Sequence, residues 1–232
     1  MKFQEKLLDS FIAFEQDIDL LNPIHTDRKN ALKRFEKQGF PSKKDESWKY
    51  TSLKSIIQKN YSLSSKSDKS VELRDVKKYF LNDLDSFKIV FVDGIYSPFL
   101  SKTTHDGMDI CVLSAALSKD KYKSTLKKYF NQIVPKDESL ASLNTSYTKE
   151  GAYIFIPKGV CPEDPVQIMH ISTGNQESIW LQPRNLIIAD KNSKVEIIER
   201  HQSLKDHSVV TNSLTEIYAE KNAFIDYYKI QN

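Results

Sequence analysis

The feature that most restricts this fold is an internal repeat near the end of the chain. Residues 189–193 read ADKNS, and residues 219–223 read AEKNA. The flanks agree in type. Ile187 and Ile188 stand where Ile217 and Tyr218 stand, and Val195, Ile197 and Ile198 align with Ile225, Tyr227 and Tyr228. Strand, polar lysine-asparagine turn and strand thus recur at one fixed period. A period of this size is the signature of stacked units that share a core. It predicts a β-solenoid with the two turns one above the other. Two similar hairpins in an ordinary sandwich would leave the same trace, and one repeat pair leaves both readings open.

The surroundings of the repeat are strand-like. After residue 150, short β-rich runs cover 152–156, 166–171, 179–181, 185–189, 194–199, 208–218 and 224–230, with turn residues between them. No helical period competes, and no helix of 10–15 residues interrupts them as a βαβ unit would require. The run 224–230 ends the sequence as given. Its expected open edge reads either as a partner surface or as the mark of a longer protein.

The first third has a different period. Leu7, Leu8, Phe11, Ile12, Phe14, Ile18 and Leu21 recur at three- and four-residue steps, which predicts an amphipathic helix over 5–21 that Asn22-Pro23 ends. A second helix is expected from Thr26, as N-cap, to Gly39. Short helical turns follow from Asp45 and over 52–57. The serine-rich stretch 62–70 reads as a loop, and 71–84 has room for one short helix. Strand character starts at 87–92 and Asp93-Gly94 turns it; 110–113 reads as a neighbouring strand. Helices over 119–130 and 139–147 flank Pro135.

Composition removes several function classes. The net charge of +3 divides into +6 over residues 1–135 and −3 over residues 136–232. That excess is modest and has no clustered stripe with interleaved aromatics, so it reads as a solvated lysine surface rather than a nucleic-acid face. No apolar run approaches the ~20 residues of a membrane helix. The first ten residues lack the apolar core and cleavage site of a signal peptide. Two cysteines make neither a disulfide framework nor a four-ligand metal site, so the expected setting is the reducing cytoplasm. Phosphate-loop glycine patterns, a nucleophile elbow and a His-Glu-x-x-His helix are all missing.

The remaining candidates are scattered. His201 and His207, with Glu199 nearby, could in principle hold a metal, but the spacing fits no recognised ligand pattern and a polar turn accounts for both histidines. His25 reads as ordinary at a helix entry, His105 as part of a loop, and His170 as a core or cross-strand histidine. Cys111 reads as a buried small hydrophobe and Cys161 as more accessible. The carboxylate pairs Glu15/Asp19 and Glu163/Asp164 read as solvated. These residues assign no catalytic, cofactor-binding or metal site, and describe an assembly or binding module rather than an enzyme.

Three stretches go further. Residues 39–53 (GFPSKKDESWKYTSL) carry Gly39-Phe40-Pro41, Glu46 and Trp48-Lys49-Tyr50-Thr51. Residues 91–97 read FVDGIYS. Leu143-Asn144 is followed by IFIPKGV over 154–160, Pro165-Val166-Gln167-Ile168, and Pro183-Arg184-Asn185. In order and spacing they resemble the SufD branch of the SufB/SufD family, scaffold subunits of the SUF machine for iron–sulfur cluster assembly. In the first stretch, Trp48 and Tyr50 are expected to anchor the arm by burying aromatic area, with Lys49 outward and Glu46 paired to Lys43 or Lys49.

The resemblance implies an α+β fold. A helical arm over 1–60 leads through a mixed α/β region, 61–150, into the first coils of a right-handed β-helix (β-solenoid) core over 151–232, incomplete at its C-terminus. It implies a non-catalytic scaffold that pairs with SufB, acts with the SufC ATPase and holds an iron–sulfur cluster only transiently in the full complex. The family's docking helices and interface histidine fall beyond residue 232, so no cluster ligand is carried over, onto His201 and His207 included. No nucleic acid or membrane is expected as a partner, and self-association through the open β edge is. A SufB-like paralogue and a carbohydrate-active β-helix enzyme are the alternatives.

Overall fold

The computed structural model describes the chain apart from residues 1, 2, 19, 21, 23, 64–70, 82–85, 105–106 and 176–177. The loop expected over 62–70, His105, Asp19 and Asn22-Pro23 as a helix stop therefore fall wholly or partly outside the described residues. Two helices open the chain, α1 (Phe3–Gln16) and α2 (His25–Gln38). α1 stops earlier than its apolar period suggested. α2 begins one residue before Thr26, after Ile24, which makes no side-chain cap. Gly39 closes it at a φ of 69°, a conformation that favours glycine. A 3-10 turn over Glu46–Trp48 precedes the short helices α3 (Lys54–Ile57) and α4 (Leu73–Val76).

The strands β1 (Phe87–Val92), β2 (Ile95–Tyr96) and β3 (Asp109–Val112) come next. Then follow α5 (Leu113–Ser118), α6 (Lys123–Tyr129) and α7 (Ser139–Ser146). The rest is strand: β4 (Ala152–Ile156), β5 (Val166–Ser172), β6 (Ser178–Leu181), β7 (Arg184–Ala189), β8 (Lys194–Ser203), β9 (Ser208–Thr211), β10 (Leu214–Ala219) and β11 (Phe224–Gln231). The single run expected over 208–218 is thus two strands. The strand expected beside β1 is also misplaced: β3 pairs with β4 in a different sheet.

Among the described residues three sheets result, in the orders β11-β8-β5-β1-β2, β10-β7-β4-β3 and β6-β9. The internal repeat appears as register. Leu214 to Ala219 lie opposite Arg184 to Ala189, and Phe224 to Gln231 lie opposite Lys194 to His201, all parallel. The amide of Asn192 donates to the carbonyl of Lys221 at 3.1 Å, and Asn222 Nδ2 donates to Asn192 Oδ1 at 3.0 Å. Asn192 and Asn222 both hold a positive φ, 57° and 60°, which asparagine tolerates better than most residues.

The right-handed β-helix core is not what forms. The fold is α+β, its sheets mix parallel and antiparallel pairs, and no closed solenoid is present among the described residues. β1 pairs antiparallel with β2, and β3 with β4. The physical reason lies in how short the repeat is. Its spacing holds where β10 lies on β7, β11 on β8 and β9 on β6, and for no earlier pair. Met169 pairs with Arg200, Tyr153 with Leu186 and Phe87 with Val166, so each earlier neighbour comes from a different sequence separation. α5, α6 and α7 also lie in the chain between β3 and β4.

Packing sorts the apolar residues into layers. The two large sheets face each other across Phe87, Ile89, Phe91, Ile154, Ile156, Val166, Ile168, Ile187, Val195 and Ile197. Each such side chain contributes roughly 1.5–3 kcal/mol by leaving water. The outer face of the four-stranded sheet (Tyr153, Leu186, Ile188) is covered by Leu113, Ala116, Tyr122, Tyr129 and Phe130. Val76, Phe80 and Leu100 cover the outer face of the five-stranded sheet at Val90, Val92, Met169 and Ile171. α1 and α2 bury Phe3, Leu7, Phe11 and Phe35 against Leu143, Tyr147, Tyr61 and Trp180.

Candidate functional site

Alternation along a strand puts every second residue on the same face. On β8 the inward row is Val195, Ile197, Glu199 and His201; on β5 it is Val166, Ile168 and His170. The inner row of the five-stranded sheet therefore turns from apolar to ionisable toward one end. Register carries the change across strands: Phe91 lies opposite His170, His170 opposite His201, and Glu199 opposite Lys229. The rings of Phe91 and His170 stack at 5.2 Å, and those of His170 and His201 at 4.5 Å.

Glu199 is fully buried at the centre of this row. Its two oxygens have different company. Oε2 accepts from the hydroxyl of Tyr227, from Asn185 Nδ2 at 3.4 Å and from Thr215 Oγ1 at 3.5 Å. Oε1 faces His201 Nε2 at 2.6 Å, Lys229 Nζ at 3.3 Å and His170 Nε2 at 3.9 Å. Burial alone would raise this carboxyl. The His201 hydrogen bond, His170, Lys229 and Tyr227 outweigh it and hold the group well below the usual carboxylate range. Burial, helped by His201, pushes His170 down to about 3, against the pull of Glu199, so this imidazole is neutral near pH 7.

His170 is 6% exposed, and its Nε2 has no hydrogen-bond partner. It also lines a cleft of about 750 Å³ with Phe91, Lys149, Glu150, Trp180 and Gln182, under Lys6, Ser10 and Phe14 of α1. Two imidazoles and one carboxylate whose ligand atoms all lie within 4.8 Å of one another form a donor set for a metal ion. Chemically the site can hold a divalent cation or pass a proton between imidazoles.

The expected residues account for only part of this cluster. Glu199 and His201 do stand together, but His207 does not join them. Its Nε2 lies 2.7 Å from Ser172 Oγ and its Nδ1 2.9 Å from the carbonyl of Lys205. The third member is His170, the cross-strand histidine. The signal that would have found it is the strand pairing of β5 with β8, which the repeat does not reach. His25 sits 3.1 Å from Glu15 at the start of α2. Cys111 is half-buried, and burial pushes its thiol up against a hydrogen bond with Tyr122; Cys161 is exposed. The aromatic anchor is half wrong. Trp48 is partly buried, whereas Tyr50 is 91% exposed and carries Lys49 over its ring at 5.5 Å. Lys49 lies 3.9 Å from Glu46, the local pair expected.

The Pro183-Arg184-Asn185 stretch also has a physical role. Arg184 and Glu216, both buried, pair at 2.5 Å, and Glu216 accepts the amides of Asn131 and Gln132 at 2.8 and 3.1 Å. Asn185 accepts from the Ala152 amide at 2.9 Å while it reaches Glu199. One residue ties a helix-flanking loop to β10, and the next ties the sheets to the ionisable cluster.

Residues 1–168 match the SufBD protein N-terminal region, and residues 170–232 match the SUF system FeS cluster assembly SufBD core domain. The Escherichia coli iron–sulfur cluster assembly protein SufD is 27% identical over 205 residues, covering 86% of this chain and 44% of that protein. The Synechocystis sp. SufBD family protein slr0076 is 23% identical over 199 residues, 82% of this chain and 44% of that protein. The Guillardia theta SufBD family protein ycf24 is 31% identical over 191 residues, 74% and 38%. The chain spans less than half the length of each of these relatives. With its whole length divided between two consecutive SufBD regions in the family's order, this chain belongs to the SufBD family of iron–sulfur cluster assembly proteins.

Proposed function

We propose that this chain acts as a SufD-type, non-catalytic scaffold in the cytoplasmic SUF machinery, pairing with a SufB-like subunit and working with the SufC ATPase. The observation that carries the reading is the pair of consecutive family regions over residues 1–168 and 170–232. The likeness to a protein named SufD supports the branch. No helix among the described residues is long and apolar enough to cross a membrane. An iron–sulfur cluster, on this reading, is cargo of the complex and not a resident cofactor of this chain.

Deletion of the gene in its native host tests the role. The expected result is a fall in the activity of cluster-dependent enzymes such as aconitase, restored by the wild-type gene. The tagged protein is expected to bring down a SufBD paralogue and an ABC-type ATPase, identified by mass spectrometry. Cluster enzymes unchanged by the deletion, or saturable ATP hydrolysis by the purified chain alone, would overturn the reading.

A further inference from the structure

We infer that His170, Glu199 and His201 form a binding site for one divalent transition-metal ion, of the iron(II) or zinc(II) class, inside the core beside the cleft that His170 lines. The inference does not rest on the scaffold role, because it concerns metal binding by this chain alone.

Three observations point the same way. The first is the donor set. Two imidazoles with one carboxylate suit borderline metals such as zinc and iron(II), not calcium or magnesium, which favour oxygen ligands. The second is orientation. Tyr227, Asn185 and Thr215 hold Oε2 of Glu199, leaving Oε1 turned toward both histidines. Partners behind a ligating carboxylate fix it in this way in metal sites. The third is the Nε2 of His170, a buried polar atom without a hydrogen-bond partner on a residue that lines the cleft, where a cation would satisfy it.

Lys229 supplies the counter-argument and the sharpest test. Its ammonium lies 3.3 Å from the same Oε1, so it neutralises Glu199 in the metal-free chain. It is about one-third exposed and can swing to water. A metal ion entering by the cleft would take its place, exchanging one cation for another beside a buried carboxylate. Lys229 and the metal therefore compete, which a purely structural cluster would not show.

The experiment is equilibrium dialysis of the chelator-treated full chain against zinc(II), and anaerobically against iron(II), with bound metal counted by mass spectrometry. One equivalent per chain is expected. His170→Gln should weaken binding by at least about tenfold. Lys229→Gln should tighten it, and His207→Ala should leave it unchanged. If His170→Gln does not fold, cobalt(II) added to the parent chain decides: intense visible bands of a low-coordinate, imidazole-bound ion support the site, and the pale spectrum of the hydrated ion overturns it. Binding by His170→Gln equal to the parent, or weaker binding by Lys229→Gln, would also overturn it. Loss of the site with cluster enzymes still dependent on the gene would leave the scaffold reading standing, and the reverse result would leave the site standing.

Discussion

Arg184 shows how much can depend on one side chain. It is fully buried, its guanidinium stacks at 4.9 Å on the Phe130 ring, and Glu216 is the carboxylate beside it. Burial pulls its pKa down while the Glu216 charge pulls it back up. Such a pair adds little net stability over apolar residues of the same size, yet breaking one partner leaves a buried charge unpaired. Glu216→Gln is therefore expected to cost about 3–5 kcal/mol, read from the shift of the urea midpoint. The double change Arg184→Met with Glu216→Leu should cost less than that single one. A double variant weaker than the single would show that the charges themselves stabilise the fold.

At the scale of elements, the asparagine turns between β7 and β8 and between β10 and β11 set the spacing of both large sheets. Asn192 holds a left-handed backbone that an alanine adopts at a cost of about 1–2 kcal/mol. Asn192→Ala should lower the thermal midpoint, and Asn192→Gly should lower it less. Equal losses would mean that the Asn192–Asn222 hydrogen bond, not the backbone, matters. Much at this scale was legible beforehand. The strands from β4 onward stand out because short apolar runs between turn residues leave few alternatives. The pairing of β3 did not, because its neighbour is chosen by the tertiary fold and not by its own residues. Tyr50 misled for a related reason: aromatic content says nothing about which side of a short turn faces water. The histidine cluster was half visible. Glu199 and His201 are two residues apart on one strand, but His170 reaches them only through a strand pairing outside the repeat.

At the scale of the whole molecule, the helical layer and the sheets share one aromatic cluster. Trp180 on β6 packs against Phe3, Phe40 and Tyr61 at ring distances of 5.3 to 5.8 Å. Leu7 of α1 is fully buried in the same cluster. The helices should therefore not unfold separately from the strands. In a Trp48→Phe background, Trp180 fluorescence and far-ultraviolet circular dichroism are expected to report one coincident transition. Leu7→Ala should move both midpoints together, by about 2–5 kcal/mol. A fluorescence change that precedes the loss of strand signal would show that α1 and α2 are a separable unit.

The thirty-residue register also bears on how such a chain can change by insertion. Because β9, β10 and β11 repeat the alignment of β6, β7 and β8 in three sheets at once, a single added residue inside any of these strands would turn one row of side chains inside out. The same residue added in the loop after β9 would slip both later strands together or be absorbed there. A full unit of thirty could be gained or lost with every face preserved. Gene lineages of this kind should accordingly vary in loop length near residues 204–207 and 212–213, while strand lengths hold still and strands are gained or lost only in whole units.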